Sequence, residues 1–337
     1  MFLGIDHGTT AIRFASLLDG TINKFEIARS KLISIPESEL IEHIGLNLNV
    51  DMNKIKLIAL TYSMGDGIIS IEDIKHLKNR GIKSNRGVGN RIGAGELVFD
   101  AVKKSDIPSV VIPGIHSKSG TDPRLNIFSH STSPEKIGIA YHAKCMGYNN
   151  YVVSDISSNT VTLAVANGEI KGAIDACIFA PGVHHGPLDV QAIRDVDEGL
   201  YTANDAFTKG GVLKRTPYSN LKELLNAFSR NEKDAILALD TIALFAAMEI
   251  NSLQLLLKDY DLQGEVFLAG SVGDIEYVVD KINGTLGLKS QILGKWSAAV
   301  GCAEIARDIA YGSRKILGIN VNFDSAEMEH FPDERKR

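Results

Sequence analysis

The sequence predicts an α/β fold built twice, and three observations carry that reading. Residues 2 to 6 form an apolar run that ends in Asp6, followed by a polar turn (His7, Gly8, Thr9, Thr10) and a second run to Leu18. The alternation and the tight turn predict a β-hairpin. From Tyr151 the pattern returns: an apolar run reaches Asp155, a turn of Ser157, Ser158 and Asn159 leads to Thr160, and an alternating run ends at Ala166 before Asn167-Gly168. Between the two hairpins strand and helix patterns alternate, which predicts a mixed sheet rather than an all-β domain. A hairpin at the head of each half indicates internal duplication, with two acids and two hydroxyl turns facing one cleft.

Composition sets the bounds. At 337 residues, 44% hydrophobic, 23% charged and with a formal charge of −5, the chain reads as an ordinary globular protein long enough for two domains. It has one tryptophan, Trp296, and lacks a basic patch with interleaved aromatics, so nucleic acid is not an expected partner. The most apolar stretch, residues 235 to 248, is broken by Asp240, and the chain begins directly with a core strand. Neither a membrane span nor a signal peptide is expected, and the location expected is cytoplasmic. Cys145, Cys177 and Cys302 are too far apart in sequence to form a compact cluster and read as structural thiols.

In order along the chain, residues 22 to 29 predict a third antiparallel strand. Residues 36 to 45 predict a short helix beginning near Ser34 or Pro36, and residues 55 to 63 a buried strand ending in a turn from Ser63 to Gly67. Residues 72 to 95, polar and glycine-rich, predict a surface loop or flap. Their glycines do not directly follow a strand, as a dinucleotide fingerprint requires. A helix is predicted over 96 to 105 and a buried strand over 109 to 114. Residues 116 to 132 then form a polar loop bearing His116, Lys118, Asp122, Arg124 and His130. This loop reads either as surface or as a rim that places basic groups over an anion. Ser133, Pro134 and Glu135 read as N-cap, first position and first-turn acid of the next helix.

After the second hairpin, His184 and His185 sit on a turn between Pro/Gly pairs. A vicinal histidine pair cannot readily aim both rings at one metal, which leaves substrate contact or loop anchoring. Asp189 predicts an N-cap. Residues 221 to 230 predict one helix and residues 231 to 258 a long one, apolar on more than one face and so expected to be buried. Residues 264 to 274 read as a strand, a glycine turn (Gly270, Ser271, Val272, Gly273) and a following helix with Asp274 in its first turn. Such a junction brings backbone close to an anionic ligand. Alanines and Gly301 between residues 298 and 306 predict a small-faced helix suited to close crossing, and the last residues a charged, frayed tail.

Five pieces in this order (two acid hairpins, a long helix, LAGSVG and a small-residue helix) resemble the acetate and sugar kinase, heat-shock ATPase and actin superfamily. The segments TDPRLNIFSHSTSPEKIG, PGVHHGPLDVQAIRDVDEG and ALDTIALFAAMEI resemble more closely the methanogenesis marker protein 12 family of methanogenic archaea. The resemblance implies two ribonuclease H-like, actin-like ATPase domains with mixed five-stranded sheets. The first covers 1–147, completed by a C-terminal helix at about 296–321, and the second covers 148–295. GIDHGTT would be the first phosphate loop, SDISSNT the second and VFLAGSVGD the adenosine loop, with two connecting helices at 135–146 and 297–311. It implies ATP and Mg²⁺ as cofactors, with Asp6 and Asp155 as catalytic acids and metal contacts. Gly8, Thr9, Thr10, Ser157, Ser158, Asn159 and Thr160 would meet phosphates, and Gly270, Ser271, Val272 and Gly273 the α-phosphate and nucleoside. Arg124, His130, His184 and His185 would meet an anionic substrate.

One departure separates this chain from the superfamily pattern: Ser157 and Ser158 stand where paired glycines are usual. Serine keeps the N–H but disfavours positive φ. The expected function is therefore ATP-dependent phosphotransfer to a small carboxylate or other anion, or ATP hydrolysis. The alternative is a nucleotide-binding or protein-interaction scaffold linked to methanogenesis that transfers nothing. A protein partner belongs to either reading, and a second copy of the chain is a candidate partner.

Overall fold

The structure, a computed structural model, describes residues 1–61, 67–77 and 93–323. The chain divides into two compact units, one built from residues up to 147 together with those from 296 onward, the other Tyr148–Lys295.

The first unit opens with three antiparallel strands, β1 (Phe2–Asp6), β2 (Ala11–Leu18) and β3 (Thr21–Ala28), as the alternation predicts. A single helical turn, α1 (Arg29–Leu32), leads to α2 (Glu37–Leu48), which starts at Pro36. Glu37 and Glu39 in its first turn suit the positive end of the helix. β4 (Leu57–Leu60) joins β1 in parallel. The Ser63 turn falls outside the described residues except for Gly67, as does most of the 72–95 segment. The described start of that segment is not loop: β5 (Ile71–Asp73) pairs with β6 (Ser109–Val111), and a 3-10 turn follows over Ile74–His76. Ile71 and Ile74 are buried, and that burial orders a stretch whose composition reads as polar.

α3 (Ala94–Lys104) sets Val98, Phe99 and Val102 into the core with Leu3, Ile5, Phe14 and Leu40. The polar loop after residue 115 carries a small hairpin, β7 (Ile115–His116) and β8 (His130–Thr132), around a 3-10 turn at Pro123–Ile127. In α4 (Glu135–Cys145) the Ser133 hydroxyl donates to the Glu135 carboxylate at 2.6 Å and makes no cap bond to a backbone N–H, contrary to the expected capping role.

The second unit repeats the hairpin with β9 (Tyr151–Ile156), β10 (Thr160–Ala166) and β11 (Glu169–Ile174). α5 (Val190–Asp197) is capped by Asp189, whose carboxylate accepts from the Gln191 and Ala192 N–H groups, and α6 (Ala203–Thr208) follows. α7 (Leu221–Ser229) precedes the long α8 (Lys233–Asp259). α8 buries one face only: Leu239, Ile242 and Ile250 are inside, whereas Leu237, Leu244 and Met248 are exposed, which corrects the expectation of a helix buried all round. β12 (Glu265–Ala269) lies parallel to β9 and leads into one helical turn, α9 (Gly270–Gly273). Asp274 closes that turn, and Glu276 takes the first-turn place in α10 (Glu276–Leu286). β13 (Gln291–Gly294) ends the unit.

The chain returns to the first unit with α11 (Ser297–Ala310), β14 (Lys315–Ile316) and β15 (Ile319–Asn322). The small face of α11 crosses α4 with backbone touching backbone, since a Cβ on Gly301 would lie 1.8 Å from the Gly138 carbonyl oxygen. Tyr141 on α4 donates to Asp308 on α11 at 2.7 Å and fixes the crossing.

The first sheet has eight strands in the order β14-β15-β5-β6-β4-β1-β2-β3, and the second has five, β11-β10-β9-β12-β13. Read from β3, the first five strands of the larger sheet (β3-β2-β1-β4-β6) match the smaller one (β11-β10-β9-β12-β13) in order and in every parallel or antiparallel pairing. The expected five-stranded sheet is therefore extended in the first unit by β5, β14 and β15 at its far edge.

Candidate functional site

Asp6 ends β1, 3% exposed, and pairs across the hairpin with Arg13. Arg13 donates from Nη1 to the Asp6 carboxylate at 3.3 Å and from Nε to Glu26 at 3.3 Å. A Cβ on Gly8 would lie 2.9 Å from Arg13 Nη1 and 2.8 Å from the Ala11 carbonyl oxygen, so the turn folds down onto its own second strand. Arg29 holds the turn from the other side. It donates from Nε to the Gly8 carbonyl at 2.8 Å and from Nη2 to the His7 carbonyl at 3.2 Å. The His7 N–H donates to Thr61 Oγ1 at 3.1 Å, one residue past β4. With its carbonyls taken by Arg29, the loop leaves Thr9 and Thr10 exposed, on a turn flanked by two guanidinium groups. Hydroxyls and cations in that setting recognise anionic oxygen.

His7 is half-buried overall but its Nε2 is fully covered. Burial, then the Arg29 charge, push its imidazole down to about 3, with Glu135 opposing, so the ring is neutral at physiological pH. Glu135 stays below the usual carboxylate range. Burial pushes it up, but Lys136 at 3.0 Å and the Ser133 hydroxyl outweigh that effect.

In the second unit, Asp155 stands one residue before the end of β9, where Asp6 is the last residue of β1, and is 7% exposed. The parallel register sets Asp155 opposite Ala269, which places the GSVG turn beside it. Gly270 has φ +89°, and a Cβ there would lie 2.2 Å from Asp155 Oδ1 and 2.4 Å from the Ile156 carbonyl oxygen. The missing side chain makes room for Asp155, so these two predicted site elements form one cluster. Ser271 is exposed there, whereas Val272 and Gly273 are buried.

The serine loop is held by a strap of residues 182–185. The Val183 N–H donates to the Ser157 carbonyl at 3.0 Å, and the His184 and His185 N–H groups both donate to the Ser158 carbonyl, at 3.0 and 2.8 Å. The Ser157 N–H closes the turn on the Asn159 carbonyl at 2.8 Å. Neither Ser157 nor Ser158 has positive φ, so the loop has a shape that serine adopts without strain. Thr160 is fully buried and donates its hydroxyl to the Pro181 carbonyl at 3.0 Å. Gly211, Val212 and Leu213 fasten the outer side of the strap by donating to the carbonyls of His184, Gly182 and Val183. The His185 ring tilts against Phe207 with centroids 4.8 Å apart. Burial pushes the His184 imidazole below its ordinary value.

Arg124 and His130 belong to the first unit. Arg124 makes a two-pronged contact with Asp122, from Nε at 3.0 Å and Nη2 at 2.8 Å, and His130 sits in β8 opposite His116. Sequence reasoning missed Arg13, Arg29, Thr61 and the backbone bonds of the strap, whose His184 and His185 it read as substrate contact or loop anchoring. Arg13 was legible, because pairing Gly4 with Ala15 and stepping outward sets Asp6 against Arg13. Arg29 and the strap act through backbone carbonyls and leave no pattern of residue types. Among the described residues no group of three or more His, Cys, Asp or Glu side chains could hold a metal by itself.

No protein-family model matches the chain. It is 58% identical over 322 residues to a UPF0285 protein of Methanosarcina barkeri, covering 96% of this chain and 99% of the relative. It is 59% identical over 322 residues to one of Methanosarcina mazei, at the same coverages. The chain belongs to the UPF0285 family. This is an archaeal methanogenesis-marker family, as the three quoted segments indicate. A member from Methanococcus maripaludis strain C5 is 43% identical over 331 residues, covering 95% of this chain and 99% of the relative. Among solved structures, the UPF0285 chain is similar to a propionate kinase from Francisella tularensis, with a TM-score of 0.65 at 11% identity, covering 91% of this chain and 98% of that one. An acetate kinase from Porphyromonas gingivalis gives 0.63 at 12% identity, again over 91% and 98%. These likenesses show the fold alone: two mixed-sheet domains, as in those acetate and propionate kinases. Among the described residues one helix, α8, is long and apolar enough to cross a membrane, and half of its most apolar window is buried within the protein.

Proposed function

We propose that this protein binds ATP as its magnesium complex and transfers the γ-phosphoryl group to a small anion, a carboxylate being the first candidate. The observation that carries the proposal is the placement of an acid followed by a hydroxyl turn at the same point of two sheets with the same strand order. Duplicated actin-like ATPase domains account for that repetition. Phosphoryl transfer requires positioning and charge neutralisation more than covalent chemistry from the protein, and both loops offer suitable groups.

In this reading Gly8, Thr9 and Thr10 meet the β- and γ-phosphates, with Arg13 adding a cation. Asp6 and Asp155 are each candidates to hold Mg²⁺, which would supply neutralising charge to the phosphate oxygens. Asp155 also accepts a proton where the acceptor is a hydroxyl. Ser157, Ser158 and Asn159 offer hydroxyl, amide and backbone groups to phosphate, and Thr160 supports them through the Pro181 carbonyl. Gly270 and Ser271 meet the nucleoside side, with Val272 and Gly273 behind them. Arg124, His130, His184 and His185 are the candidates for the anion. With a carboxylate acceptor, its oxygen forms the new bond to the γ-phosphorus, the bond to the β,γ-bridging oxygen breaks, and ADP leaves with that electron pair. The resemblance of the fold to acetate and propionate kinases supports the acceptor class.

A second reading, a nucleotide-binding scaffold, is favoured by the strap that holds the Ser157 and Ser158 carbonyls. Phosphate release from Mg-ATP, with and without acetate or propionate and with hydroxylamine to trap an acyl phosphate, separates the two. The expected result is trapped acyl phosphate from the parent protein and a rate about 100-fold lower for Asp155→Asn. No phosphate release above the protein-free control would leave the scaffold reading, and equal measurable rates in parent and variant would remove Asp155 from the catalytic groups.

A further inference from the structure

The exposed face of α8 carries a seam unlike the rest of the surface. Leu237, Leu244, Met248 and Leu255 are 66%, 50%, 46% and 54% exposed. They follow one another at intervals of seven, four and seven residues. Thr241 and Asn251 fill the gaps, and Asp234 and Lys258 close the ends, giving an alternating three-four spacing over the whole helix. That is the spacing of a coiled-coil seam. At 1.5 Å per residue it runs about 36 Å. Between its charged ends the seam carries no charge, and the nearest acid, Asp240, is turned to α10, where it accepts from Tyr277 at 2.8 Å and pairs with Lys281 at 3.0 Å. A solvated helix face of this length ordinarily carries charges.

The seam is also a chemical palindrome centred on Ala246. Counting outward, Leu244 answers Met248, Thr241 answers Asn251, Leu237 answers Leu255, and Asp234 answers Lys258. One further step, Lys233 answers Asp259. Two antiparallel copies of α8, related by a two-fold axis that crosses the seam at the level of Ala246, itself buried on the inner side of the helix, would bring Leu237 to Leu255, Leu244 to Met248, amide to hydroxyl and acid to base. A two-fold interface requires such self-complementarity, whereas a lipid surface or an unrelated helix does not.

We propose that α8 is a homodimerisation helix, pairing antiparallel through its exposed seam with α8 of a second copy, with the two-fold axis between Leu244 and Met248. The interface is one helix pair long, so dimerisation is concentration-dependent rather than obligate. Sedimentation velocity over a concentration series of the full chain tests it. The parent is expected to show reversible monomer–dimer exchange. Leu244→Glu, on an exposed face and so with unchanged circular dichroism, is expected to raise the dissociation constant by at least about 100-fold. Lys258→Asp sets acid against acid at both ends and should weaken the dimer about 10-fold, while Lys258→Asp combined with Asp234→Lys should return it to within about 3-fold of the parent. A parent that is monomeric at every concentration overturns the proposal, whether or not it binds phosphatidylglycerol vesicles. So does a dimer that Leu244→Glu leaves intact, or a double swap no better than the single.

Discussion

The loop after β1 and the loop after β9 stand at the same point in sheets of the same strand order, yet they are fastened by different means. The first is held by side chains: Arg29 takes the His7 and Gly8 carbonyls, and Arg13 takes the Asp6 carboxylate. The second is held by backbone, with three N–H groups of the strap on the Ser157 and Ser158 carbonyls. The first therefore sets two guanidinium groups, one of them paired with Asp6 and Glu26, beside exposed hydroxyls. In the second, shape comes from serines in ordinary backbone conformation, and the glycine requirement moves to Gly270, across the strand pair. The two sheets share their strand order, while each loop has its own support.

The difference can be broken most severely at Gly270. Gly270→Val forces a side chain into positive φ and against the Asp155 carboxylate, and should destabilise the second unit by about 4 kcal/mol, read by urea unfolding. pH separates the units next. The lowered His7 value means that its contribution to the first unit is full above 6.5 and is lost as pH falls from 6.5 toward about 3. Glu249 on α8 has the opposite sign. It is fully buried, with Oε2 2.6 Å from Thr162 Oγ1, and burial pushes its carboxyl well above 4.5. Its contribution is full below 4.5 and declines as pH rises through the raised value. His7→Gln should flatten the acid side of the stability profile by about 2 kcal/mol, and Glu249→Gln the neutral side by about 1 kcal/mol.

Smaller effects sharpen the contrast. Arg13→Ala should weaken Mg-ATP binding about 10-fold, measured by calorimetry, because it removes the cation beside the first loop. Ser158→Gly should lower stability by less than about 1 kcal/mol and leave turnover unchanged, since the loop does not use positive φ. A gain in turnover would mean that glycine restores a geometry the serine blocks.

Both hairpins were legible because period-two alternation and a terminal acid are local signals. The α4–α11 crossing was legible too: the row of small residues around Gly301 announces close packing, and Gly138 receives it. The face of α8 was not. Leucine at positions 237 and 244 reads as core from composition, and only burial separates those residues from Leu239 and Ile242. Nor was the strap, because backbone donors carry no residue identity. Serines at 157 and 158 announced that the second loop departs from a glycine pattern, but what compensates lies some 25 residues further on, at 182–185, and reaches the loop only through folding.

The central claim is that the protein binds a nucleotide. Titration of the full-length protein with the magnesium complex of a non-hydrolysable ATP analogue, followed by calorimetry, tests it most directly. The account predicts saturable binding of one nucleotide per chain, dependent on magnesium and weakened by Asp6→Asn and by Asp155→Asn. No heat of binding at millimolar nucleotide would contradict it and leave only a protein-binding role.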